Sequence, residues 1–140
     1  MFNISIYNES EHKYLPGKLI TQAVMLVASK EIGKSGEISI VICSDEFIHE
    51  LNNKYLNHDH TTDVITFEIE DEPLVGEIYI SADTAKMQAL DYQVTFRDEL
   101  LRLAIHGTLH LAGHKDNTEE FRKKMSKLED MYLQEVRAGK

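Results

Sequence analysis

The feature that most restricts how this chain folds is the run His106-Gly107-Thr108-Leu109-His110-Leu111-Ala112-Gly113-His114-Lys115-Asp116. Residues four apart on a helix stand one turn above each other on the same face, so His106 and His110 bring two imidazoles close enough to hold one metal ion. Gly113 then closes the helical run at a position suited to a left-handed turn, which sends the following residues back toward the histidines. Asp116 is the natural third ligand on that returning segment. The fold must therefore contain a helix that stops at Gly113 and a chain that reverses beside it.

Three protein ligands with a fourth position left to water describe a catalytic zinc site; structural zinc is normally closed by four ligands, often cysteines, and Cys43 is the sole cysteine here. The spacing, with ligands first, fifth and eleventh and glycine eighth, is that of metzincin zinc sites. Metalloproteases place a glutamate directly after the first ligand as general base, whereas this chain has Gly107, so peptidase activity is disfavoured. A metal-bound water is then the expected nucleophile, acting on an amide or a phosphodiester, with the proton acceptor supplied from elsewhere in the fold. The motif by itself identifies no catalytic side chain. The competing structural reading is a helix C-terminus where His110 and His114 favour the negative end of the dipole.

A chain of 140 residues fits one domain able to bury about 70% of its unfolded surface. Its 42% hydrophobic and 28% charged content is that of a soluble globular protein, and apolar runs such as Ala23 to Ala28 are far too short to cross a bilayer. No basic segment followed by an apolar one opens the chain, and a lone cysteine forms no intrachain disulfide, so the expected compartment is a reducing cytoplasm. The net charge of −9 opposes nucleic-acid binding unless a local basic patch supplies it. Arg97, Arg102, Lys115, Arg122, Lys123, Lys124 and Lys127 fall around the histidine run, either as such a patch or as solvated faces of two helices.

Hydrophobic periodicity gives the order β-α-β-α-β-β-α-α-α. Phe2 to Tyr7 alternates as a half-buried strand; Leu15, Leu19, Ala23, Val24, Val27 and Ile32 recur at helical spacing from Pro16 to Gly33; Glu37 to Cys43 is a β-branched strand. Ser44 or Asp45 caps a helix over about 46–56 with Phe47, Ile48, Leu51 and Tyr55 on its inner face. A polar loop, Asn57 to Thr62, leads to a strand from Asp63 to Ile69, and Asp63 beside two loop histidines is a plausible functional position. Pro73 lies in the turn to a strand from Leu74 to Ile80, Ser81 caps a short helix to Leu90, and Thr95 with Asp98 opens the helix carrying the histidines. Asn117 with Glu120 opens a last helix with the stripe Phe121, Met125, Leu128, Tyr132 and Val136. The expected architecture is a single α+β domain, a mixed sheet of about four strands covered by helices, with the histidine helix the most buried. His12 and His49 read as ordinary surface residues.

His106 to Gly113 resembles the first eight positions of the pattern H-G-x-L-H-L-x-G-Y-D-H of the YbeY rRNA maturation factors, bacterial metal-dependent endoribonucleases. A second block of that family, L-N-x-x-Y-R-x-x-D-x-P-T-D-V-L-S-F, is similar to Leu51, Asn52, Tyr55, Asp59, Thr62, Asp63, Val64, Ile65, Thr66 and Phe67, and a third to Gly76-Glu77-Ile78. The resemblance spans essentially residues 1–140 and implies one zinc ion or another divalent transition metal, cleavage of single-stranded RNA, maturation of the 3′ end of small-subunit rRNA, and ribosome quality control. Three departures stand out. Asp116 replaces the family's third histidine while His114 stands at its tyrosine, so the expected ligands are His106, His110 and Asp116, with His114 competing for the third place. Leu56 replaces an arginine expected to hold a phosphate, leaving His58, His60 or Lys115 to substitute, and Glu77 replaces an aspartate. The alternative function is a ribosome-assembly protein of the same fold with a structural or weakly active metal site.

Overall fold

A computed structural model describes residues 2–139. Four strands, β1 (Phe2–Asn8), β2 (Gly36–Cys43), β3 (Val64–Glu70) and β4 (Leu74–Ser81), form one sheet in the order β1-β2-β4-β3. β1 and β4 run parallel to β2, and β3 pairs antiparallel with β4 through the turn containing Pro73. Five helices complete the chain: α1 (Gly17–Glu31), α2 (Asp45–Leu56), α3 (Ala82–Tyr92), α4 (Phe96–Leu111) and α5 (Glu119–Gly139). This is the mixed four-stranded α+β architecture expected from the periodicity.

The sheet has two unequal faces. The main core joins Ile38, Ile40, Ile78 and Ile80 of the sheet to Ile20, Val24 and Val27 of α1, to Leu101, Ala104 and Ile105 of α4, and to Tyr132 and Val136 of α5. On the opposite face α2 covers a small cluster of Cys43, Ile48 and Ile65. α4 is buried along most of its length, because sheet and helices pack on several sides of it. Its start is fixed by Thr95, whose hydroxyl accepts the Asp98 N–H at 3.0 Å; Ser44 and Ser81 cap α2 and α3 in the same way.

Two expectations are corrected at this level. The inner face of α2 is Ile48 and Asn52, with Leu51 packed beside them as expected, while Phe47 and Tyr55 are exposed. The small face cannot enclose four large side chains, so these rings rest on the sheet aromatics, Phe47 tilted by 38° against Tyr79 at 6.1 Å and Tyr55 edge-on to Phe67 at 5.8 Å. In α5 the first-turn acceptor is Thr118, which receives the Phe121 N–H, rather than Asn117. The buried stripe of that helix is Met125, Glu129, Tyr132, Leu133 and Val136, with Phe121 largely exposed and Leu128 at its margin. A carboxylate thus occupies the middle of an apolar stripe.

Candidate metal centre

α4 places His106 and His110 one turn apart, as their spacing requires, with Nε2 atoms 3.1 Å from each other. The helix ends at Leu111 with Ala112 as its cap, and Gly113 adopts φ +101°, a left-handed conformation that a side chain would strain. The reversed chain delivers Asp116, whose Oδ2 lies 3.3 Å from His110 Nε2 and 3.4 Å from His106 Nε2. Zinc binds nitrogen and oxygen at about 2.0–2.1 Å, which sets neighbouring ligand atoms of a tetrahedron about 3.3–3.4 Å apart. The triangle therefore has the dimensions of three corners of such a site. His106 and His110 are each more than a fifth exposed or close to it, at 20% and 28%, and Asp116 is 41% exposed, so the fourth corner faces solvent.

The donor chemistry agrees. His106 Nδ1 donates to Glu129 Oε2 at 2.5 Å, so its Nε2 lone pair points into the triangle. Burial works against a proton on His106, but the hydrogen bond and charge of Glu129, with the charges of Asp116 and Asp63, outweigh it and raise the pKa above the ordinary histidine value. Two imidazoles and a carboxylate this close need a cation or a shared proton between them, and these three residues could hold a metal ion. Glu129 Oε1 also accepts from Arg102 at 3.0 Å, and Arg102 reaches Asp130 at 2.6 Å, so the carboxylate behind His106 is itself held in place. Sequence reading missed Glu129; the signal was its position four after Met125 and three before Tyr132, inside the stripe.

His114 is the correction among the ligand candidates. Its Nε2 contacts Glu31 Oε1 at 2.8 Å, on a carboxylate that also accepts from Tyr132, and it points away from the triangle. The left-handed turn at Gly113 separates successive side chains, so His114 and Asp116 leave in different directions. Gly107 is explained by contact: a Cβ there would meet Ile78 Cγ2 at 2.8 Å and Thr66 Cγ2 at 3.2 Å. These two residues are cross-strand partners on β4 and β3, so position 107 faces the sheet and a protease-type glutamate has no room. Glu77 accepts from Tyr79 Oη at 2.9 Å; both alternate with the buried Gly76, Ile78 and Ile80, which places them on the α2 face, away from the histidines.

Two cavities meet at the triangle. The first, about 480 Å³, is lined by Gln88, Tyr92, Val94, Glu99, Arg102, Arg122 and Glu129 together with His106, Asp116 and Asp63. The second, about 330 Å³, is lined by Asn52, Leu56, His58, His60, Thr62 and Thr66 together with His106, His110, Asp116 and Asp63. Asp63, singled out by its place in the sequence, belongs to both. Part of the basic patch is paired with carboxylates: Arg97 with Asp98, Lys123 with Glu119, Arg102 as above. Lys115 and Lys124 line a separate small cavity with His114. His12 and His49 are half-buried rather than free on the surface, against Phe96 and Asp59 respectively.

Comparison with known proteins identifies the family. The family described as "Endoribonuclease YbeY" matches residues 5–137. A protein named endoribonuclease YbeY from Chlorobaculum parvum is 41% identical over 137 residues, covering 97% of this chain and 96% of its own length, and one from Karelsulcia muelleri is 40% identical over 131 residues, covering 93% of each. The solution structure of a Thermotoga maritima protein is similar with a TM-score of 0.67 at 31% identity, over 99% of this chain and 91% of that one. On the family match and the identity to these relatives, the chain belongs to the YbeY endoribonuclease family.

Proposed function

We propose that this chain is a zinc-dependent endoribonuclease that cuts single-stranded RNA, that it matures the 3′ end of small-subunit ribosomal RNA, and that it serves ribosome quality control. The observation that carries the reading is the triangle of His106 Nε2, His110 Nε2 and Asp116 Oδ2, open to solvent at the junction of two cavities. These three residues hold the ion, and residues 1–140 act as one hydrolase domain. A bound divalent ion supplies Lewis acidity toward a phosphodiester oxygen and lowers the pKa of a coordinated water. The rest falls to side chains. Glu129 fixes the tautomer and orientation of His106, and Arg102 fixes Glu129. The absence of a side chain at Gly107 lets α4 lie directly on β3 and β4, which sets the depth of the two histidines.

The name carried by the relatives supports nuclease action over an assembly role without chemistry. The partner is the small ribosomal subunit and the compartment the cytoplasm. Among the described residues no helix is long and apolar enough to cross a membrane. The test is incubation of zinc-loaded protein with a single-stranded RNA and with the same RNA annealed to its complement, alongside elemental analysis using His106→Ala as control. Cleavage of the single strand alone is expected, abolished in His110→Ala although its circular dichroism spectrum matches the unmodified protein. Undiminished cleavage by His110→Ala overturns the reading.

A further inference from the structure

The first cavity contains a buried carboxyl group without a partner. Glu99 lies in the first turn of α4, is 2% exposed, and lines this cavity together with His106 and Asp116. Its backbone N–H donates to the Thr95 carbonyl at 3.0 Å, but its side chain has no hydrogen bond or ion pair among the described residues. Asp98 Oδ1 is the one side-chain atom among these residues that is both sealed from solvent and unpartnered, so the Glu99 oxygens are not sealed and open on the cavity. Burial is the main cause that raises the Glu99 pKa; Arg102 on the same helix opposes the rise, and Asp63 just before β3 and Glu129 on α5 add to it. The positive end of the α4 dipole favours the charge, yet the oxygens still lack donors, and a polar group kept from water without them is costly.

The other polar walls are already committed. Arg102 is held by Glu129 and Asp130, Gln88 donates to Asp63 at 3.2 Å, and Arg122 donates to the Asp116 carbonyl at 3.3 Å. Tyr92, Val94, Leu103 and Met125 supply the apolar wall. Four carboxylates, of Asp63, Glu99, Asp116 and Glu129, face two guanidiniums here, which opposes a phosphate. A cavity with apolar sides and an unpaired buried acceptor instead suits a flat, uncharged group that brings N–H donors.

The geometry of α4 separates two roles for Glu99. It stands seven residues before His106, on the same face and about 10 Å away along the helix axis. A general base must come within about 2.6–3.2 Å of the proton it takes, so Glu99 is too far along the helix to serve a water at the metal triangle. The same span matches the reach from a nucleotide's phosphate to the far edge of its base. Single-stranded RNA is read through unstacked bases laid on aromatic rings and hydrogen-bonded along their Watson–Crick edges. An ionised carboxylate only accepts, through two oxygens side by side. Guanine is the one base of the four whose Watson–Crick edge presents two adjacent N–H donors, N1–H and N2–H; the others set each donor beside an acceptor. We propose that the first cavity is a guanine subsite, in which the Glu99 carboxylate accepts both N–H groups and Tyr92 lies against the ring while the adjoining phosphate reaches the metal centre. This rests on the endoribonuclease reading and gives it a base preference.

The test measures binding of zinc-loaded protein at pH 8 to 2′-O-methyl oligouridylates that carry one guanine, inosine or adenine at the centre. Inosine keeps N1–H and lacks only the N2 amino group. The guanine probe is expected to bind about tenfold more tightly, or better, than the other two, in the range of one bidentate base contact. In Glu99→Gln the advantage of guanine over inosine is expected to vanish, because the amide carries a single acceptor, with zinc content and circular dichroism unchanged. Tyr92→Ala, at a position 61% exposed, is expected to weaken the guanine probe about fivefold or more through lost stacking. Equal affinity of the unmodified protein for the three probes overturns the proposal, as does a guanine advantage that survives in Glu99→Gln. Loss of zinc from Glu99→Gln overturns it too, since Glu99 would then belong to the metal centre. Unaltered affinity in Tyr92→Ala overturns it whatever the state of the Glu99 variant. Protein that cuts RNA but ranks the probes equally sinks this proposal only; protein that binds no probe and leaves single-stranded RNA uncut overturns the endoribonuclease reading, and this proposal with it.

Discussion

The two cavities that meet at the metal centre share His106, Asp116 and Asp63 but differ in what their remaining walls are free to do. The first is walled by α3, α4 and α5, and its strongest cation, Arg102, is held between Glu129 and Asp130. The second is walled by a loop whose imidazoles keep unpaired nitrogens. Positive charge on the helix side is thus committed to structure, where it orients a ligand through a buried carboxylate. On the loop side no carboxylate among the described residues is bonded to His58 or His60. In a protein with net charge −9, contact with RNA falls to local groups rather than to the overall field.

Three substitutions probe that asymmetry beyond the two experiments above. The largest effect is expected from Glu129→Gln, which keeps the shape but loses the charge behind His106: metal affinity should fall roughly 10–100-fold in a chelator competition. Unchanged metal affinity would show that His106 keeps its orientation without that charge. Next comes Gly107→Ala, where the new methyl meets Ile78 Cγ2 at 2.8 Å beneath both cavities. A loss of about 1–3 kcal/mol in denaturant unfolding is expected, the usual cost of overpacking. An unchanged midpoint would mean that helix and sheet separate easily there. The smallest is Asn52→Ala, which should cost about 1 kcal/mol in denaturant unfolding for the lost hydrogen bond from its Nδ2 to the His60 carbonyl. An unchanged midpoint in Asn52→Ala would show that the loop holds its shape without that anchor.

Much of the fold was legible because its causes are local. Alternation in Phe2 to Tyr7 and in Leu74 to Ile80, helical spacing in α1, and hydroxyl caps at Ser44, Ser81 and Thr95 all act within a few residues, and the structure contains each of them. The misreadings have non-local causes. Phe47 and Tyr55 read as core because they fall on the apolar side of α2, yet the sheet face they meet is too small to enclose them. Glu129 was hidden because its partner lies 23 residues earlier on another helix, and His114 because its partner, Glu31, is 83 residues away. Spacing along the chain carries no information about such pairs.

By itself the sequence determined that two imidazoles share one helical face, that the chain must reverse at Gly113, and that no glutamate follows the first histidine, since all three depend only on the geometry of a single turn and its end. Tertiary structure alone decided that Asp116 and not His114 returns to the pair, that Glu129 stands behind His106, and that the loop histidines face the same cavity as the metal centre. Those outcomes depend on which surfaces α1, α2 and α5 bring against α4 and β3, and that is fixed by burial of the whole core rather than by any one segment.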